Sequence, residues 1–177
     1  MKINYIIVGV SGSIAAYKSP EIVRQLSKKG NNVIVIMTSA AIKFISPLTF
    51  KVISNNPVFT EMFEENVEPL HISLAQRANL ILLAPATANI IGKIAVGICD
   101  DLLTNVVIST KSNVLLAPAM NENMYRNSVV QENIERLKKR GYRIIPPIFG
   151  NLACGKEGKG HLATVETIIE AAVESLR

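Results

Sequence analysis

Five apolar, β-branched runs, at 3–10, 32–37, 79–84, 113–117 and 143–145, limit what this chain can fold into. A strand with one wet face alternates apolar and polar residues. These runs are nearly continuous, so they require cover on both faces, as in a parallel sheet. Segments of helical period lie between them. The clearest, 128–140, sets Val130, Ile134 and Leu137 on one face. Its Ser128 and Gln131 have capping-box spacing, and Gly141 can close the far end. The tail, 164–176, carries Val165, Ile168, Ile169, Ala172 and Leu176 on one stripe, with Thr164 as its cap. A first helix over 13–29 contains Pro20, which must kink or restart it.

Strands alternating with helices predict an α/β fold: doubly wound, three-layered, Rossmann-like, with a mostly parallel sheet. Right-handed crossovers then place the strand C-termini, and any ligand, along one edge. The 177 residues suit a single domain, 1–177. The stretch 146–163 holds Gly150, Gly155, Gly158 and Gly160 and reads as a long irregular loop of functional type.

A hydrophobic fraction of 49% is enough for a core on both sides of a sheet. Met1-Lys2 leads into a short apolar run interrupted by Gly9 and Ser11, unlike a secretory leader. No run approaches the roughly 20 residues that span a bilayer, so the expectation is a soluble cytoplasmic protein without a membrane partner. The net charge of +5 invites a nucleic-acid reading, but the basic residues are dispersed. The longest run, Lys138-Lys139-Arg140, ends a helix, where it complements the dipole, and there is no Trp to stack on bases. A modest basic excess also suits anionic small molecules. Cys99 and Cys154 form no C-x-x-C pattern, and His71 and His161 alone complete no metal set, so no metal is expected. Cys99, beside Ile98 in an apolar run, reads as core.

Three strand ends could carry a site. The first strand runs into Gly9-Val10-Ser11-Gly12-Ser13-Ile14. Its glycines are three apart, so it is not a dinucleotide fingerprint. Hydroxyls and a helix start suit the single phosphate of a mononucleotide, although a tight turn with no ligand explains the pattern equally well. Pro85-Ala86-Thr87-Ala88-Asn89 follows the third run, with Thr87 or Asn89 also readable as a helix cap. Pro118-Ala119-Met120-Asn121-Glu122-Asn123-Met124-Tyr125 follows the fourth, where core filling is the ordinary role of the two Met residues and a turn or cap that of such an Asn.

The stretches GVSGSIAAYKSPE, EPLHISLAQRA, LLAPATANIIGKIAVGICDDLL, APAMNENMY and NLACGKEGKG occur in that order across most of the chain. Together they resemble the homo-oligomeric flavin-containing cysteine decarboxylases, most nearly the kind acting in coenzyme A biosynthesis. The resemblance implies FMN at the sheet edge. Gly12, Ser13 and Ile14 match phosphate and ribityl contacts, Thr38 and Ser39 a second wall, and Thr87, Ala88, Asn89 and Ala119 the flavin lining. His71 matches the active-site histidine and Asn121 the residue holding substrate carboxylate and amide. Met124 matches a substrate contact, and Cys154 the cysteine that finishes the reaction.

The implied reaction is FMN-dependent decarboxylation of 4′-phospho-N-pantothenoylcysteine to 4′-phosphopantetheine. Oxidising the carbon that bears sulfur gives a thioaldehyde able to accept the electrons left by CO2, and the enethiolate is then reduced. The implied assembly is a homotrimer, or trimers assembled further, with flavin at subunit contacts. A lantibiotic-type peptidyl-cysteine decarboxylase shares the flavin site and the His71 and Asn121 positions but generally lacks the loop around Cys154. A flavin prenyltransferase shares the fold and the first turn, and the PAMN motif argues against it. A non-catalytic FMN-binding subunit would have lost His71, Asn121 or Cys154. Tyr125 stands where the family motif usually has Trp. His161 reads as a solvated loop residue.

Overall fold

The apolar runs become the strands of one sheet. β1 (Tyr5–Val10), β2 (Asn32–Met37), β3 (Val58–Phe59), β4 (Leu80–Ala86), β5 (Asn113–Pro118) and β6 (Arg143–Ile144) pair throughout in parallel. Their order is β3-β2-β1-β4-β5-β6, the doubly wound arrangement expected from the sequence. The structure is a computed structural model describing residues 3–63, 69–151, 155 and 157–176.

Helices cover both faces: α1 (Ser19–Lys28), α2 (Pro47–Ser54), α3 (Leu70–Arg77), α4 (Ala88–Val96), α5 (Leu102–Ser109), α6 (Glu122–Arg126), α7 (Ser128–Lys139) and α8 (Val165–Ser175). Successive strand side chains point to opposite sides. Val8, Leu82 and Leu115 therefore pack with Ile22 and Leu26 of α1, Phe50 of α2 and Ile168 of α8. Ile7, Ile81 and Leu116 pack on the other side with Leu74 of α3, Ile90 and Ile94 of α4, Val106 of α5 and Ile134 of α7. Every residue of β4 is buried, as its position between β1 and β5 requires. Among the described residues no helix is long and apolar enough to cross a membrane.

Pro20 restarts the first helix: a 3₁₀ turn over Ile14–Lys18 gives way to α1, with the proline in its first turn. Thr164 caps α8 as expected, accepting the Thr167 N–H at 3.2 Å. The expected cap of α7 is corrected by one residue. Asn127 is extended at φ −60° and ψ 132°, and its Oδ1 accepts the Val129 N–H at 3.0 Å, leaving Ser128 inside the helix. Gly141 closes that helix at φ 89°.

Cys99 is exposed rather than core, its thiol donating to the Gly97 carbonyl at 3.6 Å. α4 ends where Gly97 turns left-handed at φ 79°, so the chain beyond it leaves the apolar face. The stretch read as irregular contains an antiparallel pair, β7 (Ile148–Asn151) and β8 (Glu157–His161). Its glycines carry no apolar alternation and concealed the strand.

Leu82 sits at 0% exposure on the central strand. Leu82→Ala should destabilise the protein by about 2–5 kcal/mol, read as a lower urea midpoint at unchanged denaturant slope.

Candidate active site

The strands β1, β2, β4 and β5 all end along one edge, and the winding reverses between β1 and β4. The turns at that edge enclose a cavity of roughly 460 Å³. That is within the range of about 300–1,000 Å³ usual for small-molecule sites.

Ser11 ties two of these turns together. It is 2% exposed; its hydroxyl donates to the Pro85 carbonyl at 2.7 Å and accepts the Thr87 N–H at 3.0 Å. The neighbouring turns are joined in the same way: the Thr38 N–H donates to the Val10 carbonyl at 3.0 Å, and the Ala119 N–H to the Ala86 carbonyl at 3.1 Å. A side chain at Gly12 would collide with Ala40, so only glycine lets the 11–13 turn lie against the 38–40 turn.

Three hydroxyls are oriented by local amides. Ser13 Oγ accepts the Ala15 N–H at 3.3 Å, Thr38 Oγ1 the Ala41 N–H at 3.2 Å, and Thr87 Oγ1 the Ile90 N–H at 3.3 Å. Each is an acceptor in that bond, which leaves its own O–H proton available as a donor. All three residues line the cavity, and Thr87 also opens the nine-residue helix α4.

Among the described residues Lys93 is the cation of the lining, and it is neutralised. Its ammonium donates to both Asp100 oxygens, at 2.7 and 2.8 Å, with an Asp101 oxygen at 3.7 Å. The hydrogen bond to Asp100 raises the Lys93 pKa and lowers that of Asp100. An anionic ligand therefore meets amides and hydroxyls rather than a free ammonium. Ala88, Ile90, Ala119, Met120 and Met124 add an apolar wall. This donor set fits a phosphate monoester joined to a planar, largely apolar ring.

A sequence profile described as Flavoprotein matches residues 1–177. The chain belongs to the Flavoprotein family. This flavoprotein is 46% identical over 175 residues to a probable phosphopantothenoylcysteine decarboxylase of Streptococcus mutans, covering 97% of this chain and 98% of that one. It is also 46% identical over 169 residues to a coenzyme A biosynthesis bifunctional protein of Bacillus subtilis, covering 94% of this chain but 42% of the relative. Among solved structures it resembles a PPC decarboxylase mutant complexed with pantothenoylaminoethenethiol, at TM-score 0.87 and 28% identity over 98% of each chain. The family and fold expected from the sequence are borne out.

Of the residues singled out by the resemblance, Gly12, Ser13, Thr38, Ser39, Thr87, Ala88, Asn89, Ala119 and Met124 line the flavoprotein's cavity. Ile14 is not in the lining; its side chain is 55% exposed at the start of the 3₁₀ turn. His71 is the second residue of α3, half-buried and also outside the lining. Asn121 caps α6, its Oδ1 accepting the Asn123 N–H at 2.9 Å. Cys154 lies outside the described residues.

The cavity adds Ala40, Ile90, Lys93 and Asp101, which sequence reasoning did not single out, and Ser11 and Met120, which it named only as parts of the strand-end stretches. Two of these left a signal. Lys93 is four residues after Asn89 on α4 and so shares its face, and Asp101 with Thr104 forms a capping box at the start of α5.

His161 is not the solvated loop residue expected. It is half-buried, with Nδ1 2.9 Å from the Leu162 carbonyl oxygen and Nε2 3.4 Å from the Lys18 ammonium. Burial lowers the Lys18 pKa, and the Glu166 carboxylate partly restores it. Tyr125 is half-buried against the α4–α5 side of the core, with the Lys159 ammonium 6.0 Å from its ring centre.

Ser11→Ala removes one acceptor and one donor at a buried point. It should lower stability by about 1–3 kcal/mol and weaken riboflavin phosphate binding about tenfold, read by urea unfolding and by quenching of flavin fluorescence.

Proposed function

We propose that this chain, acting as one flavoprotein domain in the cytoplasm, is an FMN-dependent phosphopantothenoylcysteine decarboxylase. It converts 4′-phospho-N-pantothenoylcysteine to 4′-phosphopantetheine in coenzyme A biosynthesis. The supporting observation is the edge cavity, rich in hydroxyls and free of unpaired cations among the described residues, in a chain alike over nearly its whole length to a probable decarboxylase of that kind.

The Ser13 hydroxyl would donate a hydrogen bond to the phosphate and ribityl chain, with Gly12 and Ile14 beside it, and Thr38 and Ser39 would form a second wall. Thr87, Ala88, Asn89 and Ala119 would border the ring. When bound, FMN would supply a two-electron sink and source for hydride at the carbon that bears sulfur. Asn121 holds the substrate carboxylate and amide, and Met124 packs against the chain beyond them. His71 serves the oxidation at the sulfur-bearing carbon, and the Cys154 thiol delivers the proton that accompanies the returning hydride.

Cys154 also separates the main rival, since a lantibiotic-type peptidyl-cysteine decarboxylase stops at the enethiol. Cys154→Ser should keep CO2 release while accumulating the enethiol, followed by mass spectrometry of the products. Undiminished phosphopantetheine formation by that variant would reject the role given to Cys154.

His71 stands outside the cavity within one chain. A homotrimer with FMN at subunit contacts would let His71 of one copy serve the cavity of the next. Ile72, 42% exposed beside His71, suits such a contact. His71→Asn and Asn121→Asp, each inactive alone, should recover activity when co-expressed. Continued inactivity of the mixed oligomer would reject sharing of the site.

A further inference from the structure

We propose that Glu122 is a positioning residue: its carboxylate docks the β7–β8 hairpin on the turn that carries Asn121, and so couples the reductive half of the reaction to the oxidative half. This rests on the function proposed above.

Glu122 is the first residue of α6, directly after Asn121. Its Oε1 accepts the Lys159 main-chain N–H of β8 at 3.2 Å. Arg126, one turn on, pairs with the same oxygen at 2.9 Å and holds the carboxylate in that direction. The Glu122 side chain is 26% exposed against 71% for Arg126, so the carboxylate is the more sheltered partner. A charged acceptor makes this the stronger kind of hydrogen bond.

The main chains meet beside it. The Met120 N–H donates to the Gly160 carbonyl at 3.1 Å. A side chain at Gly160 would collide with the Met120 carbonyl, and one at Gly158 with the Glu122 carboxylate. The hairpin thus shows glycine at 158 and 160, where it lies against the 120–122 turn, and Glu122 supplies a side-chain bond of the contact. At its base, His161 adds the contact with Lys18.

In sequence, β7 and β8 flank Cys154, with Asn151 paired to Glu157. Their docking therefore holds Asn151 and Glu157, which in sequence lie on either side of Cys154, the proposed proton donor. Hydride removal and loss of CO2 do not use that proton; only the return of hydride does. Weakened docking should leave the first half running and let the enethiol escape before reduction.

The test uses FMN-loaded full-length protein and 4′-phospho-N-pantothenoylcysteine, with CO2, enethiol and phosphopantetheine measured together. Glu122→Ala should release CO2 within about threefold of the parent rate while its enethiol share rises about fivefold or more. Main-chain exchange at Lys159 should accelerate in the same variant. Glu122→Gln keeps an acceptor oxygen and should stay near the parent in both readouts. Gly158→Ala, which crowds the carboxylate from the hairpin side, should shift the products in the same direction.

Parent-like product ratio and exchange in Glu122→Ala would overturn the inference. So would equal loss of CO2 and phosphopantetheine, which would mark Glu122 as support for the fold alone. Failure of Cys154→Ser to accumulate enethiol would instead count against the proposed proton donor, while exchange at Lys159 would still decide whether Glu122 docks the hairpin.

Discussion

The site depends on one hydroxyl. Ser11 follows β1 and bonds at once to a carbonyl of β4 and to the amide of the residue that caps α4. At 2% exposure, these groups have little access to water if the bond is lost. The bond sets the distance between the 11–13 turn and the 87–89 turn, and through Thr87 it sets the start of α4. Lys93, one turn along α4 from Asn89, takes its place in the lining from the same start. The Ser13 and Thr87 hydroxyls thus take their spacing from a side chain whose own bonding is spent inside the protein, while the Thr38 turn is joined through the Val10 carbonyl. The sequence presents Ser11 and Ser13 as like elements of one turn, but only Ser13 lines the cavity with a proton to spare.

The sheet was legible because its signal is redundant. Parallel strands covered on both faces need unbroken apolar runs, and the chain has one for each of β1, β2, β4, β5 and β6. β3 was not legible: it has two residues, Val58 and Phe59, too few for any period to appear. α2 escaped for a different reason. Leu48 and Val52 are 65% and 73% exposed while Phe50 is buried, so its apolar pattern does not describe one inward face. The hairpin escaped because backbone contact selects glycine where a solvent-facing sheet would show alternation.

The site divides along the same line. Gly12, Ser13, Thr38, Thr87, Ala88 and Ala119 lie at strand ends, and a parallel sheet must bring such ends together at one edge. Their convergence follows from topology alone. His71 and Ile14 were marked by resemblance, which carries residue identity but no position within a single chain. Both fall outside the cavity, where nothing local to their segments could have placed them. The Lys93–Asp100 pair was hidden because seven residues of continuous helix would set the two about 10 Å apart, and only the turn at Gly97 brings Asp100 back to Lys93.

The neutral lining bears on the chemistry. The proposed reaction removes hydride from the substrate and must later return it, so the cofactor has to work in both directions. A free cation beside the ring would favour the reduced, more electron-rich form and oppose the return step. Amides and hydroxyls would hold a phosphate without that bias near the ring, and among the described residues the one ammonium of the lining is already engaged by Asp100. Among the described residues, the lining holds no cation besides Lys93, although the chain carries +5 overall. Cofactor retention then depends on the exact spacing of dipoles, which returns the burden to the buried Ser11 hydroxyl.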